Sequence, residues 1–251
     1  MRAIVIGDVH GCLDELDELL RIVEYRQEAD RLYFVGDLVD RGPDPVGVVR
    51  RVRELHAECA RGNHEEKHVR WARREAERRA TGKPNPMRPL AEKVLREHET
   101  LGDDNLAWMA ALPLVIEPVP GWVIVHAGFE PDRPVWQQNP NVCMRVRYVD
   151  QRDRMKSGDP YSKPAGAVRW ATRWPGRENV IYGHAVHDMA DATVDEPQES
   201  VRCYGIDTGC CFGGRLTALV MPRRQSVSYD DVSFVQVQAR AAYHPFTPPE
   251  D

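Results

Sequence analysis

The chain has 251 residues, of which 29% are charged and 42% belong to the hydrophobic set, and its formal net charge is -5 at pH 7. This composition is that of an ordinary globular protein. The negative charge argues against a general nucleic-acid binder, which needs a basic face to neutralise phosphates. Because no low-complexity or Pro/Ser-rich linker divides the chain, we expect a single domain over residues 1–251.

The amino terminus and the cysteines bear on the location of the protein. The first residues enter an apolar strand directly, without the basic region and long apolar run of a secretion signal, and no run approaches the length of a membrane span. Six cysteines without a Cys-x-x-Cys pair are typical of reduced thiols rather than of a disulfide framework or a structural zinc site. The sequence therefore predicts a cytoplasmic protein that does not contact a membrane.

The first predicted unit is a strand, a polar loop and a helix. The apolar run Arg2–Ile6 is typical of a strand, and it ends in Gly7-Asp8-Val9-His10-Gly11. Asp8 and His10 are two residues apart, so both can project to one side of the chain, where a carboxylate and an imidazole can hold one transition metal. Apolar residues then recur at helical spacing, at Leu13, Leu16, Leu20 and Val23.

Two further units repeat this plan. The predicted strand Leu32–Val35 leads into Gly36-Asp37-Leu38-Val39-Asp40-Arg41-Gly42, and a segment near Ala57–Ala60 leads into Arg61-Gly62-Asn63-His64-Glu65. The second loop holds two carboxylates and a guanidinium, and the third holds an amide oxygen and a second histidine. Because open α/β sheets place their sites at the carboxyl ends of their strands, three such loops in succession predict one shared site.

A predicted helical segment follows, from about residue 65 to residue 111, with a Pro-rich break at Lys83–Pro89. Its arginines are interleaved with glutamates, so we interpret the basic stretch as a solvated helix face rather than a nucleic-acid patch. These arginines are Arg70, Arg73, Arg74, Arg78 and Arg79. We expect solvated or structural roles for His56, His68 and His98, and a helical insertion or cap over the sheet edge that contributes no catalytic cluster.

Beyond Pro113 the composition favours strands, and two of them end in histidine. Trp122–Val125 runs into His126, and Val180–Tyr182 runs into Gly183-His184. Taken singly, each histidine is interpreted as a buried structural residue rather than a metal ligand. His187 is interpreted as a loop histidine rather than a spare ligand. Further strands are predicted at Leu114–Ile116, Val201–Ile206, Leu216–Val220 and Val232–Val237, followed by a frayed acidic end.

In this order, GDVHG, GDLVDRG and GNHE, followed by the strand-ending His126 and His184, resemble the PPP superfamily of binuclear metallophosphatases, the calcineurin-like phosphoesterases. The closing stretch Gly205–Leu216 resembles the bacterial bis(5'-nucleosyl)-tetraphosphatase-like branch, and also the phosphatase module of bacterial RNA-repair proteins, more than eukaryotic protein phosphatases. The resemblance extends to about Val237. It implies an α/β (α+β) fold, a four-layer metallophosphoesterase sandwich of two mixed β-sheets flanked by helices.

The resemblance also implies a centre of two divalent metal ions, with Mn²⁺ favoured and Fe, Zn, Ni or Co compatible with the same ligands. Asp8 and His10 would hold the first ion, and Asp37 would bridge the two. The second ion would be completed by Asn63, His126 and His184.

By the same resemblance, His64 would be the general acid on the leaving oxygen, with Asp40 orienting its ring. Arg41 would bind the non-bridging phosphate oxygens as a planar fork, and Asn63 would also face the substrate. A second phosphate-binding arginine is normal in the family, and either Arg145 or Arg147 could supply it.

The implied function is hydrolysis of phosphoester or phosphoanhydride bonds by a metal-activated water. Dinucleoside polyphosphates are the favoured substrates, with the helical insertion and Val142–Tyr161 as walls for the nucleotide. The alternatives are a protein serine/threonine or tyrosine phosphatase acting on phosphoproteins, and an RNA 2',3'-phosphate phosphatase.

Two other classes fit the sequence less well. A cysteine-nucleophile phosphatase is disfavoured because Arg215 lies five positions after Cys210 rather than six, and we expect Cys210 and Cys211 to be packing residues. A phosphatase-fold scaffold without activity is disfavoured because every expected ligand position is filled.

Overall fold

The computed structural model describes residues 1–156 and 163–246, and two five-stranded β-sheets lie at its centre. The first sheet has the order β13-β12-β1-β2-β3. Its strands are β1 (Arg2–Ile6), β2 (Asp30–Phe34), β3 (Glu58–Cys59), β12 (Arg215–Pro222) and β13 (Ser233–Gln238). In this sheet β1, β2 and β3 are parallel to one another, whereas β12 is antiparallel to both of its neighbours.

The second sheet has the order β10-β11-β9-β5-β4. Its strands are β4 (Val115–Val119), β5 (Trp122–Val125), β9 (Asn179–Tyr182), β10 (Thr193–Gln198) and β11 (Val201–Gly205). Here β5, β9 and β11 are parallel. A small third sheet has the order β7-β6-β8 and contains β6 (Tyr148–Val149), β7 (Met155–Lys156) and β8 (Val168–Arg169).

Five α-helices occur in the described ranges: α1 (Leu13–Ile22), α2 (Pro45–Glu54), α3 (Asn63–Thr81), α4 (Glu92–Ala111) and α5 (Pro140–Arg145). Short 3₁₀ helices occupy Val135–Gln137, Trp170–Arg173 and Tyr229–Asp231. Pro45 begins α2 because a missing N–H costs nothing in a first turn, and the Asp44 side chain caps that turn by accepting the Gly47 N–H at 2.8 Å. Gly102, with φ 68°, interrupts α4.

Three apolar clusters define four layers. Alternation along β1 sends Ile4 and Ile6 towards the helices α1, α2 and α4, whereas Ala3 and Val5 face the second sheet. The far face of the second sheet packs on Phe129, Trp170 and Trp174. The predicted sandwich is therefore confirmed, although short helices and the small third sheet, rather than long helices, form its fourth layer.

The ends of the strands agree with the sequence-based expectations within a few residues, but the carboxyl-terminal tail does not. Its first part is packed, not frayed: Arg240 N–H and Tyr243 O–H donate to the buried Glu15 carboxylate at 2.9 and 2.8 Å. The backbone N–H groups of Tyr243 and His244 both donate to Cys211 O. The prediction of a frayed end is wrong as far as residue 246, and residues 247–251 lie outside the described part.

Other features follow the composition. All six cysteines are buried and free, and Cys210 and Cys211 pack in the core beneath the first sheet, as expected. Within the described ranges, the structure contains no helix with both the length and the apolar character needed to span a membrane.

We expect Trp170→Ala to lower the free energy of unfolding by about 3–5 kcal/mol, the usual loss for a buried aromatic side chain. Trp170 is 2% exposed, and its ring centre lies 5.1 Å from that of Tyr182 and 5.9 Å from that of Phe129. Urea unfolding measures the change. The matched control is Trp136→Ala, which removes a 66% exposed ring and should change stability by less than about 0.5 kcal/mol. Equal losses in the two variants would contradict a stabilising role for this aromatic cluster.

Candidate metal centre and active site

The predicted ligands of the first three loops come together at the carboxyl ends of β1, β2 and β3. Backbone hydrogen bonds join the first two loops, because His10 N donates to Asp37 O and Gly11 N donates to Leu38 O, both at 2.9 Å. His10 Nε2 then lies 3.5 Å from Asp37 Oδ2. In the third loop, the backbone N–H of His64 donates to Asp37 Oδ1 at 3.0 Å, which places this carboxylate at the amino end of α3.

The histidines of the second sheet meet the same carboxylate from the other side. His126 Nε2 lies 3.4 Å from Asp37 Oδ2 and 3.1 Å from Asn63 Oδ1. The backbone N–H of His184 donates to both oxygens of Asp8, at 3.2 and 3.1 Å. The six predicted ligands are thus brought together, with Asp37 between the two groups.

Glycine is required at two positions where the backbone lies against a carboxylate of the site. A Cβ added to Gly183 would overlap Asp8 Oδ1, and a Cβ added to Gly62 would overlap Asp37 Oδ1. Any side chain at either position would push a carboxylate out of the site.

Backbone strain is concentrated in the same loops. In the described residues, five of the eight non-glycine residues with positive φ belong to the site, with φ from 45° to 69°. They are His10, Asp37, Asp40, Arg41 and His184. Such conformations are sparsely populated and persist only where the surrounding structure enforces them, which is a frequent property of functional sites.

The hydrogen bonds of two imidazoles determine which ring nitrogen carries a lone pair. His10 Nδ1 donates to Val39 O at 2.7 Å, and His126 Nδ1 donates to Val35 O at 3.1 Å. A carbonyl oxygen can only accept, so both Nδ1 atoms are protonated, and Nε2 is the nitrogen left to bind a cation. Burial lowers the pKa of His10 well below its usual value, whereas the neighbouring Asp37 carboxylate raises the pKa of His126. A backbone partner on the far nitrogen is the usual arrangement of a metal-ligating histidine.

The ring of His184 also suits a metal ligand. Its Nε2 is buried and has no hydrogen-bond partner among the described residues. Atoms of His184, His126 and Asp37 lie close enough to hold one ion, and atoms of His10, His64 and Asp37 lie close enough to hold another. Asp37 belongs to both groups, as expected of a bridging ligand.

Buried carboxylates repel one another in this region. Burial, followed by the charges of Asp207 and Asp37, raises the pKa of Asp8 well above its usual value. Burial also raises the pKa of Asp207 to about 6 and, with help from Asp37, that of Glu65 to about 7. Burial alone would raise the pKa of Asp37 as well, but the imidazoles of His126 and His64 hold it well below its usual value. This excess of acceptors and negative charge fits a cationic centre.

The donor set fits two divalent ions. Carboxylate oxygens, an amide oxygen and neutral imidazoles suit manganese, iron or zinc, and no thiolate is among the six.

Glu65 was not among the predicted site residues, although it anchors two ligand loops. Its carboxylate is fully buried and accepts the backbone N–H groups of Asp37, Leu38 and Gly62 at 2.9, 2.7 and 2.9 Å. The available signal was its spacing, because a glutamate three residues after a helix N-cap commonly turns back to that cap. Asp207, which follows β11, was also missed, although it ends a strand in the same way as Asp8.

His64 and Asp40, the predicted acid and its orienting carboxylate, are in contact. His64 Nδ1 is hydrogen-bonded to Asp40 Oδ2, and His64 Nε2 faces the site, 3.8 Å from Asp37 Oδ2. Because Asp40 holds Nδ1, His64 Nε2 is the ring nitrogen left to face the site. The guanidinium of Arg41 spans two imidazoles, with Nη1 2.7 Å from His10 Nε2 and Nη2 3.2 Å from His64 Nε2.

The expectation that the helical segment contributes no cluster to the site is wrong. Lys67 Nζ donates to Asp40 Oδ2, and His68 Nε2 lies 3.3 Å from Asp40 Oδ1. Glu97 Oε1 accepts the backbone N–H of Asp40 at 2.8 Å. His68 is fully buried and stacks on His98, so its role is structural rather than solvated. Asp40 is thereby held by side chains of both α3 and α4.

The two candidate arginines lie near the site in different settings. Arg147 Nη2 donates to His184 O at 3.3 Å, and burial lowers its pKa. Burial and the charge of Arg70 lower the pKa of Arg145. His187 lies beside Arg169 and Arg147, and burial with these charges lowers its pKa to about 4. The predicted wall Val142–Tyr161 is described only to residue 156, and its last part lies outside the described residues.

Comparison with known proteins agrees with this geometry. A family model described as calcineurin-like phosphoesterase matches residues 1–214. The asymmetrical bis(5'-nucleosyl)-tetraphosphatase PrpE of Bacillus subtilis (strain 168) is 29% identical over 250 residues, covering 92% of this chain and 97% of its own length. The symmetrical bis(5'-nucleosyl)-tetraphosphatase of Methylococcus capsulatus is 28% identical over 278 residues, covering 87% and 91%.

A crystal structure of a protein provisionally named a diadenosine tetraphosphatase superposes with a TM-score of 0.73 and 27% identity, covering 95% of this chain and 93% of that one. The family match extends over most of the chain and includes the three amino-terminal loops and both strand-ending histidines. The chain therefore belongs to the calcineurin-like phosphoesterase family and is a phosphoester hydrolase of a kind that uses divalent metal ions.

Proposed function

We propose that this protein hydrolyses the phosphoanhydride bonds of bis(5'-nucleosyl) tetraphosphates. The observation that carries the proposal is the convergence of five further acceptor side chains on the buried Asp37, in a chain whose relatives of similar length are named as enzymes for these substrates. The ligands of two ions, Mn²⁺ first among the candidates, would be Asp8, His10, Asp37, Asn63, His126 and His184. We also expect a cytoplasmic location, where six buried thiols remain reduced.

Divalent ions at this centre supply Lewis acidity and a water activated for in-line attack on phosphorus near neutral pH. The contribution of Arg41 is a planar pair of N–H donors for the non-bridging oxygens of the phosphoryl group. Its guanidinium already lies between His10 and His64, the two groups that flank the expected position of that phosphoryl group. Arg147, half-buried beside His184, is the stronger candidate for the second arginine, since Arg145 faces Arg70.

His64 would donate a proton from Nε2 to the leaving oxygen. Its hydrogen bond to Asp40 fixes the ring orientation and the protonated state of Nδ1, and Asp40 is fixed in turn by Lys67, His68 and Glu97. Proton transfer requires this alignment, because a donor displaced by a fraction of an ångström loses its hydrogen bond to the leaving group.

The first test concerns the metal and the substrate. We expect Mn²⁺-dependent hydrolysis that EDTA abolishes, with the highest kcat/KM for diadenosine tetraphosphate in a panel that also contains ATP, a phosphopeptide and 2',3'-cyclic AMP. Product release measured by chromatography gives the ranking. Highest activity towards the phosphopeptide would favour a protein phosphatase, and highest activity towards the cyclic nucleotide would favour an RNA-end phosphatase. Turnover that EDTA leaves unchanged would contradict the metal mechanism.

The second test separates the bridging ligand from the acid. Asp37→Asn should abolish activity together with binding of the metal pair, because the shared ligand loses its charge. His64→Ala should retain the metal but lower kcat by roughly 10²–10⁴, the usual contribution of general acid catalysis. Metal content by mass spectrometry distinguishes the two. Matched controls are Asp104→Asn and His56→Asn, both at exposed positions, and full activity of Asp37→Asn would show that the bridging assignment is wrong.

The third test addresses the side chains behind Asp40. His68→Leu removes the donor at Asp40 Oδ1, whereas the amide of His68→Gln can replace it. We expect His68→Leu to lower kcat about 10-fold or more for phenyl phosphate, a typical effect for a residue that orients another. The effect should be smaller for p-nitrophenyl phosphate, whose leaving group needs less protonation. Equal losses for both substrates would indicate general structural damage instead of a misplaced His64.

A further inference from the structure

A group of three aromatic side chains begins beside Arg41. The Arg41 guanidinium carbon is 4.9 Å from the ring centre of Phe212. That ring centre is 5.0 Å from the centre of Phe246 and 6.0 Å from the centre of His244. We refer to Phe212, His244 and Phe246 as the aromatic rim. It joins the loop after β11 to the carboxyl-terminal tail.

The backbone of the tail is fixed where it forms this rim. Phe212 forms a β-bridge with Ala242, and the N–H groups of Tyr243 and His244 donate to Cys211 O at 3.0 and 2.9 Å. The hydroxyl of Tyr243 reaches the fully buried Glu15 carboxylate. Because these bonds hold the backbone beside the rings, a ligand would not have to order the segment when it binds, which lowers the entropic cost of binding.

The rings are available to a flat ligand. Phe212 and Phe246 are half-buried and His244 is exposed. The ring planes of Phe246 and His244 are tilted by 49° and 52°, respectively, relative to the plane of Phe212. The three rings therefore do not cover one another as parallel stacked rings would. Burial, followed by the charges of Arg41 and Lys93, lowers the pKa of His244, which favours its uncharged form.

Positive charge connects the rim with the metal centre. The guanidinium of Arg41 contacts both His10 and the face of Phe212, and Lys93 Nζ donates to Arg41 O at 2.9 Å. Metal ligands, cations and aromatic rings thus lie next to one another in that order. A ligand that carries several phosphates and a flat, apolar ring system matches this arrangement. A phosphorylated peptide has no comparable ring next to its phosphate unless the residue is tyrosine.

We propose that the aromatic rim is the subsite for a nucleobase of the substrate, which stacks on Phe246 and His244 while the adjoining phosphates reach Arg41. The inference rests on the proposed function and extends it, because it assigns base recognition to the tail instead of to the helical insertion or Val142–Tyr161. Stacking uses the π-face that every base possesses, so the subsite should accept adenine and guanine with similar affinity.

The test compares two ligands that share ribose and phosphate and differ in the base. Adenosine 5'-monophosphate and ribose 5-phosphate are used as inhibitors of p-nitrophenyl phosphate hydrolysis by the Mn²⁺-loaded protein. The unsubstituted protein should bind the nucleotide more tightly than the sugar phosphate. Phe246→Ala and His244→Ala should each reduce this preference by about 5- to 150-fold, the range for loss of one base–aromatic stack. Phe246→Tyr, which keeps a ring, should retain it.

The matched control is Phe234→Ala, which removes a 40% exposed phenylalanine that packs on Tyr204 of the second sheet. It should retain the preference of the unsubstituted protein, and thermal melting should show that all variants are folded. A protein with no preference for the nucleotide, or rim variants that keep the full preference, would overturn the inference. A different result would contradict the proposed function, namely the absence of diadenosine tetraphosphate cleavage. That result is compatible with binding of a base at the rim, so the two failures can be told apart.

Discussion

The Asp37 carboxylate imposes the constraint on which the site depends. Its backbone N–H is held by Glu65, its backbone oxygen accepts the His10 N–H, and its Oδ1 accepts the N–H of His64. Only Oδ2 remains, and it faces imidazole nitrogens of His10 and His126 at 3.5 and 3.4 Å. In the neutral form of each ring, Nε2 carries a lone pair, so acceptor faces acceptor at a buried position, and Arg41 is the cation that already contacts His10 Nε2. Positive charge among these atoms is the arrangement that satisfies all of them.

Such a site opposes the stability of the fold that contains it. Five strained residues, several buried carboxylates and two glycines that tolerate no side chain are collected at one edge of the sheets. The stabilisation that offsets this cost comes from the rest of the fold, where three apolar clusters fill the spaces between the four layers. The loops cannot relax, because the strands before them are fixed in register. Backbone hydrogen bonds join the first loop to the second, and the carboxylates of Glu65 and Asp37 join the second to the third. Strain of this kind is kept where it holds a site in its working geometry.

Most of the framework could be predicted from the sequence, because strong periodicity and polar strand ends are local signals. β1 and α1 agree with apolar spacing, and the loops that hold Asp8, Asp37 and Asn63 were found because each follows a strand. Lys67, His68 and Glu97 gave no such signal, since their importance comes from contact with Asp40 across 27, 28 and 57 positions of sequence. The two-residue strands of the small sheet are too short for alternation to be recognised. The tail was misjudged because its partner, Glu15, lies 228 residues earlier.

In the proposed mechanism, bond cleavage and recognition of the rest of the substrate depend on two different groups of residues. The proposed metal ligands follow strands of both sheets, whose positions are set by the apolar clusters and cannot shift independently. The aromatic rim comes from one loop and the tail, and Arg41 is the residue that contacts both regions. A change in the rim can therefore alter which group is bound beside the phosphates without moving a metal ligand. Arg41 is the exception, because its guanidinium packs on Phe212 while its N–H donors point at the imidazoles. Loss of that ring would therefore also release the group that we propose to bind the phosphoryl oxygens.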